Sequence, residues 1–169
     1  LDGASRYDLN NTQNACGEDI VVEARKWVGT SATYWSGTTP WQASIYWRTG
    51  YTYQGQTSFD CSGFVQWAII NGGFKNPGTG TSYFDSTFGQ YGCNISNSSC
   101  VGIPGDLINS SNGHVQLIVA VDNNSGNYMV AESTTTGVIV QSRGMHKNNS
   151  KGTYKILHMD NFYASNSLK

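Results

Sequence analysis

The sequence contains few charged residues and no long apolar run. Only 12% of its 169 residues are charged and the formal net charge is −1, whereas roughly 25% is typical of globular proteins. A chain this close to neutral lacks the basic surface of a nucleic-acid-binding protein, so we expect no nucleic-acid partner. Its apolar runs are far shorter than the ~20 residues of a membrane-spanning helix, so we expect no membrane insertion.

The chain also lacks internal repeats and any change of composition that would mark an interdomain linker. Its length suits one domain with a substantial core, and 12% aromatic residues favour a packed fold despite the low charge. We therefore predict a polar N-terminal arm at 1–16 and a single domain at 17–169. We expect the protein to be a monomer.

Several features indicate an extracellular protein. The chain begins with Leu-Asp-Gly rather than Met, which we interpret as a mature chain whose targeting segment has been removed, or as a trimmed one. Six Asn-x-Ser/Thr sequons are typical of a secreted glycoprotein, although a composition rich in Asn, Ser and Thr also produces sequons by chance. The candidate glycosylation sites are Asn10, Asn94, Asn97, Asn109, Asn123 and Asn148.

The four cysteines predict one disulfide and leave two cysteines whose state is open. Cys93 and Cys100 bracket a short polar loop, which predicts a small disulfide in an oxidising compartment. Cys16 and Cys61 could pair with each other, which would exclude Cys61 as a nucleophile. The chain has no Cys-x-x-Cys pair and its histidines are scattered, so we expect neither a metal nor another cofactor.

Helix signals precede strand signals along the chain. Helices are predicted at 19–28 and 62–71, with weaker signals at 41–47 and 83–88. Strands rich in Val, Ile and Tyr are predicted at 114–121, 128–132, 137–141 and 154–158. This order predicts an α+β domain, in which the N-terminal helices pack on a C-terminal antiparallel sheet.

The most informative segment is Phe-Asp-Cys-Ser-Gly-Phe-Val at 59–65. It places Cys61 where a loop turns into a helix, and the positive end of a helix favours the thiolate form of a cysteine. The unpaired N–H groups there can also hold an oxyanion, and the small Ser62 leaves room for a substrate. These residues alone fit a structural cysteine equally well.

A cysteine nucleophile needs a base, and histidine is the usual one. Of the three histidines, His114 follows a glycine and opens a strand, so its ring can face the helix end; His146 and His158 have weaker contexts. A third group should orient the imidazole. Glu132 on the next strand is the predicted orienting residue, and Gln116 is the alternative.

Three motifs in series carry a family resemblance. Phe-Asp-Cys-Ser-Gly-Phe-Val at 59–65, Pro-Gly-Asp-Leu-Ile at 104–108 and Gly-His-Val at 113–115 resemble, in that order, the NlpC superfamily of papain-like cysteine peptidases. The resemblance covers roughly 17–160. It implies a papain-like core and hydrolysis of bacterial peptidoglycan stem peptides, usually between γ-D-glutamyl and a diamino acid. The implied partner is peptidoglycan or its muropeptides.

The resemblance also implies roles for individual residues. Cys61 would be the nucleophile and His114 the base. Tyr34 lies in Tyr-Trp-Ser-Gly, which is similar to the family's Tyr-x-Trp-Gly element. With Asp60 and Ser62, it would line the pocket for the stem peptide and its free amine.

The chain departs from the family pattern in two places. The connection between the tyrosine and Cys61 is longer than usual, so 38–58 looks like an aromatic-rich insertion. We predict that it forms a wall of the substrate groove, where Tyr46 competes for the tyrosine's role and Trp47 stacks on substrate; burial against the sheet edge is the alternative. Alignment places Ala131 at the family's third catalytic position.

The residue after that position suggests a related family. Val-Ala-Glu, which ends in Glu132, is similar to CHAP amidase and endopeptidase domains, which use a glutamate here. The hypotheses are therefore a secreted endopeptidase, a CHAP-like N-acetylmuramoyl-L-alanine amidase, and a non-catalytic module that binds cell wall or carbohydrate through its aromatic residues.

Overall fold

The computed structural model describes residues 12–29, 33–34, 51–53, 56–122, 127–134, 137–143 and 153–169. The predicted helix at 41–47 and three of the sequons, at Asn10, Asn123 and Asn148, lie outside these residues. Among the described residues the α-helices are α1 Thr12–Arg25, α2 Cys61–Asn71, α3 Thr81–Phe88 and α4 Asp160–Asn166. None of these helices is long and apolar enough to cross a bilayer.

The strands belong to two sheets. The small sheet contains β1 Thr33–Tyr34, β2 Tyr51–Tyr53 and β3 Gln56–Phe59. The large sheet contains β4 Gly92–Asn94, β5 Leu107–Ser110, β6 His114–Asp122, β7 Asn127–Thr134, β8 Gly137–Arg143 and β9 Lys155–Leu157.

The large sheet is antiparallel throughout, with the strand order β4-β9-β5-β6-β7-β8. Its three longest strands, β6 to β8, are consecutive in the chain and adjacent in the sheet, as expected for strands joined by short turns. The helix α2 packs on β6 and β7. The described residues therefore confirm the predicted α+β class, with helices packed on a C-terminal antiparallel sheet.

The helix α1 begins at Thr12, inside the segment that the sequence analysis assigned to an arm. Its first half is polar, so hydrophobic periodicity gives little sign of its start. At Gly17 this helix approaches another part of the chain, because a Cβ there would lie 2.1 Å from the carbonyl oxygen of Pro104. Glycine is therefore required for α1 to pack against the turn before β5.

The larger of two buried apolar clusters lies between the helices and the large sheet. The central helix α2 is apolar on nearly all sides, as is typical of a buried helix. Its Trp67 and Phe64 pack edge-on against Phe59, and Trp27, in the turn after α1, completes the aromatic cluster at centroid distances of 5.0 Å to Phe59 and 5.3 Å to Trp67. These contacts fix the start of α2 relative to α1 and the sheet.

The small sheet joins segments that the sequence analysis did not predict as strands. β1 runs parallel to β3, with Tyr34 paired to Phe59, while β2 and β3 are antiparallel. The strand β2 and most of β3 belong to the segment 38–58. This part of the predicted groove wall is therefore regular backbone that leads directly into α2.

The predicted disulfide between Cys93 and Cys100 is confirmed. Its loop exposes Asn94 and Asn97, two of the candidate glycosylation sites. Asn109 differs, because it is 1% exposed and its Nδ2 donates to the Thr81 carbonyl at 3.0 Å. A glycan on that nitrogen has no room in the folded protein.

Candidate active site

Cys61 is the first residue of α2 and a free, buried cysteine. Asp60 caps the helix: its backbone is extended, with φ −82° and ψ 179°, and its Oδ1 accepts a 2.6 Å hydrogen bond from the Gly63 N–H. The Ser62 hydroxyl lies 3.4 Å from the same oxygen. The cap satisfies one N–H group of the first turn and leaves others at the helix start for a ligand.

The ionisation of Asp60 is affected by its burial at the start of the helix. Burial raises the pKa of Asp60 above its ordinary value, and the hydrogen bonds from Gly63 and Ser62 oppose that rise. The cap is thus a carboxylate that depends on its hydrogen-bond donors to stay charged.

We expect Asp60→Ala to lower the free energy of unfolding by about 1 kcal/mol, because the Gly63 N–H loses its acceptor. Asp60→Asn keeps an acceptor oxygen and is expected to change stability by only a few tenths of a kcal/mol. Urea denaturation of both variants at one pH measures the difference. Equal losses in the two variants would contradict a capping role.

His114 opens β6 immediately after a tight turn. Gly113 has φ +121°, a conformation that favours glycine, and its N–H donates to the Ser110 carbonyl at 3.0 Å. The turn reaches the start of α2, where Sγ of Cys61 lies 4.0 Å from the Gly113 carbonyl oxygen. His114, the base predicted from the sequence, therefore lies beside Cys61, the predicted nucleophile.

The His114 ring contacts Glu132 on β7. The distance from Nε2 of His114 to Oε1 of Glu132 is 2.9 Å, and Glu132 is only 3% exposed. The second carboxylate oxygen, Oε2, accepts from Gln116 at 2.7 Å and from Gln141 at 2.8 Å. Gln116 thus binds Glu132 instead of taking its place.

These contacts shift the ionisation of both groups. Burial alone lowers the pKa of His114, but hydrogen bonding and charge interaction with Cys61 and Glu132 outweigh it and raise the pKa to about 9. Burial also opposes the charge on Glu132, yet bonds from His114, Gln141 and Gln116, together with the charge on His114, lower its pKa. Near neutral pH the site therefore favours an imidazolium between two acidic groups.

Two further hydrogen bonds connect the site to its surroundings. Oγ of Ser133 donates to the Phe59 carbonyl at 2.9 Å, so the residue after Glu132 ties β7 to the segment before Cys61. Oγ1 of Thr79 lies 3.0 Å from Oγ of Ser62, which places the loop before α3 at the helix start.

Sequence reasoning missed Thr79 and Gln141. Thr79 lies in a loop without a motif. Gln141 follows three apolar strand residues and carried one signal: a polar side chain that ends an otherwise apolar run next to the strand of Glu132.

The remaining predicted residues are placed as follows. Tyr34 lies on β1, paired in register with Phe59 two positions before Cys61. The side chain of Cys16 and the residues Tyr46 and Trp47 lie outside what the structure describes, as does His146.

His158 belongs to a different part of the molecule. Its Nε2 lies 3.4 Å from Sγ of Cys93 and its Nδ1 lies 3.3 Å from Oδ2 of Asp106. Asp106, from the Pro-Gly-Asp-Leu-Ile motif, also accepts from the backbone N–H groups of Ile103 and Met159. The motif therefore stabilises the turn before β5, and His158 completes that local network.

Within the described ranges, no three His, Cys, Asp or Glu residues converge as a metal site would require. Comparison with known proteins returned no matching family model, no similar curated protein and no similar solved structure. The site consists of a cysteine at a helix start, a histidine beside it and a buried glutamate in contact with the histidine. That arrangement is suited to acyl transfer through a thiolate.

Proposed function

We propose that this protein is a secreted cysteine peptidase with a papain-like core, which hydrolyses bacterial peptidoglycan stem peptides at the bond between γ-D-glutamyl and a diamino acid. One observation carries the proposal: Cys61 at the start of α2 lies beside His114, whose Nε2 is 2.9 Å from the buried Glu132 carboxylate. The disulfide Cys93–Cys100 supports an oxidising compartment.

The first half of the reaction forms a thioester. The proton of the Cys61 thiol passes to His114, and the sulfur attacks the carbonyl carbon of the scissile amide. Backbone N–H groups at the start of α2 stabilise the resulting oxyanion. His114 then protonates the leaving nitrogen, the C–N bond breaks, and the acyl group stays on sulfur.

The second half releases the acid. His114 accepts a proton from water as the water attacks the thioester carbon, and the second tetrahedral intermediate collapses with loss of the Cys61 thiolate. Glu132 accepts a hydrogen bond from the His114 ring throughout, which holds the ring orientation and stabilises the positive charge whenever the ring is protonated.

The substrate class is supported by the three motifs and by the residues around the nucleophile. A stem peptide offers a free amine when its N-terminus is exposed, and Asp60 is the acidic group nearest Cys61 in sequence. Ser62 lies between Asp60 and Thr79, so hydroxyl and carboxylate oxygens line one side of the helix start. Such a polar edge suits a short charged peptide better than an apolar chain.

A second candidate is a CHAP-like N-acetylmuramoyl-L-alanine amidase. The contact between Glu132 and His114 favours it, because those domains use a glutamate at this place. The two candidates share the same chemistry and differ in which amide reaches Cys61.

Defined muropeptides distinguish the candidates. We would incubate the protein with disaccharide-linked stem peptides and with the free peptides, containing either diaminopimelate or lysine, and identify the products by mass spectrometry. The endopeptidase releases the fragment that begins with the diamino acid. The amidase releases the intact stem peptide from the disaccharide. Cys61→Ala is the matched inactive control.

Cleavage after γ-D-glutamyl by the wild-type protein, absent in Cys61→Ala, supports the proposal. Release of the intact stem peptide assigns the amidase instead. If all substrates stay intact while the protein binds peptidoglycan equally well with and without Cys61, the non-catalytic module is the correct interpretation.

A further inference from the structure

Three neighbouring strands contribute to one polar cluster around Glu132. The strand β6 supplies His114 and Gln116, which are two positions apart and so share a face of the sheet. The strand β8 supplies Gln141, whose Cα partner is Val130, two positions before Glu132 on β7. The register of the sheet thus brings two amides to one carboxylate.

A carboxylate that is only 3% exposed strongly prefers its neutral form unless hydrogen bonds compensate for the lost water. His114 contacts Oε1, and both glutamine Nε2 atoms donate to Oε2. Each carboxylate oxygen therefore has its own donors. The amides hold Oε2 without competing with His114 for Oε1.

The amide of Gln116 is energetically unfavourable at this buried position if the side chain only fills space. It is 2% exposed, and its Oε1 has no hydrogen-bond partner among the described residues. A buried amide with an unpaired oxygen is less favourable than an apolar side chain of the same shape. Among the described residues, the hydrogen bond that its side chain does make is the one to Glu132.

We propose that Gln116 and Gln141 are positioning residues that keep Glu132 ionised and thereby keep the proton on His114. The inference rests on the proposed roles of Cys61 and His114 as nucleophile and base. The two amides act through Glu132 and do not touch the substrate. Their effect is to widen the pH range over which His114 stays protonated beside Cys61.

The test uses Gln116→Met and Gln141→Met in the full chain, because methionine matches glutamine in shape and lacks the amide. Ser142→Ala is the matched control, since Ser142 is an exposed neighbour on the same strand. The first readout is the rate at which iodoacetamide alkylates Cys61 as a function of pH, followed by mass spectrometry of the Cys61 peptide. The second is the pH titration of the His114 ring by NMR.

Each methionine variant is expected to shift the His114 titration to lower pH by about half a unit to one unit. The pH at which Cys61 alkylation responds to loss of the imidazolium should fall by the same amount, whereas rates near pH 6 should stay the same because His114, whose pKa is raised to about 9 in the wild-type protein, is protonated there in every variant. Ser142→Ala should match the wild-type protein in both readouts. Gln116→Met is expected to lower the unfolding midpoint slightly, because the buried Glu132 carboxylate loses one of its hydrogen-bond donors.

Wild-type titration and alkylation profiles in both methionine variants would overturn the proposal, as would a fall in thermal stability with no change in pH dependence. Neither readout uses a peptide substrate. If the wild-type protein hydrolyses no muropeptide but these profiles shift as described, the positioning role stands and the proposed function fails.

Discussion

Cys61→Ser is expected to lower hydrolysis of the preferred stem peptide by three decades or more, on the scale seen when one member of a catalytic unit is lost. A serine hydroxyl fits the space of the thiol but does not form an anion at neutral pH, so His114 cannot generate the nucleophile. His114→Ala should cost about as much, because it removes the acceptor of the thiol proton and the donor to the leaving nitrogen. Steady-state kinetics with a defined muropeptide measure both losses.

The fold should survive both changes. Cys61 and His114 lie at element ends, and the packing of α2 on the sheet depends on apolar residues farther along the helix. Circular dichroism and urea midpoints provide the control. A double variant should be no less active than either single variant, because the two residues act as a unit. Retention of more than a few per cent of wild-type turnover by Cys61→Ser would disprove the nucleophile assignment.

The second large effect is expected from Glu132→Gln. Activity should fall by roughly one to four decades, and by less than in His114→Ala, because the base remains but loses the group that orients it. The alkaline limb of the pH–rate profile should also move. In the wild-type protein this limb follows deprotonation of His114, whose pKa is raised to about 9; without the Glu132 charge it should lie at lower pH.

The same pair makes stability depend on pH. The pKa of His114 is raised by folding, so its contribution to stability is complete below its ordinary value of 6.5 and is lost as the pH rises through about 9. The pKa of Glu132 is lowered, so its contribution is present above its ordinary value of 4.5 and is lost on acidification through its folded-state pKa. Urea midpoints between pH 6 and 10 should therefore decline less in Glu132→Gln.

One outcome would contradict the role of Glu132 as the residue that orients His114. If Glu132→Gln keeps wild-type activity and its alkaline limb stays in place, the carboxylate does not orient the imidazole. The hydrogen bond between Gln116 and Glu132 in the wild-type protein would then contribute to the fold and not to catalysis.

The helix that carries Cys61 and the strands that carry His114 and Glu132 were predictable because their signals are local. An aspartate cap before a small first turn marks the start of α2, and its apolar run predicts the buried helix. The strands β6 and β7 follow from runs of Val, Ile and Ala between polar turns. The proximity of the three residues was predictable only through the resemblance carried by the motifs.

The small sheet was not predictable in this way. The strand β1 has two residues, and its partner β3 is polar, so neither shows the alternation that marks a half-buried strand. Their parallel pairing is set by contacts distant in sequence. The role of Gln141 was hidden for a similar reason, since only the register of β8 on β7 shows that its amide reaches Glu132.

The bond from Ser133 to the Phe59 carbonyl joins residues 74 positions apart, and Cys61 meets the turn at Gly113 across 52 positions. The contacts that surround the proposed nucleophile therefore form only after both halves of the chain have folded together. A chain still emerging from the ribosome, or one cut between α2 and β6, lacks these contacts. Under the proposed function, hydrolysis therefore begins only when the whole domain is complete, and a cell that makes the protein is exposed to no activity until synthesis is finished.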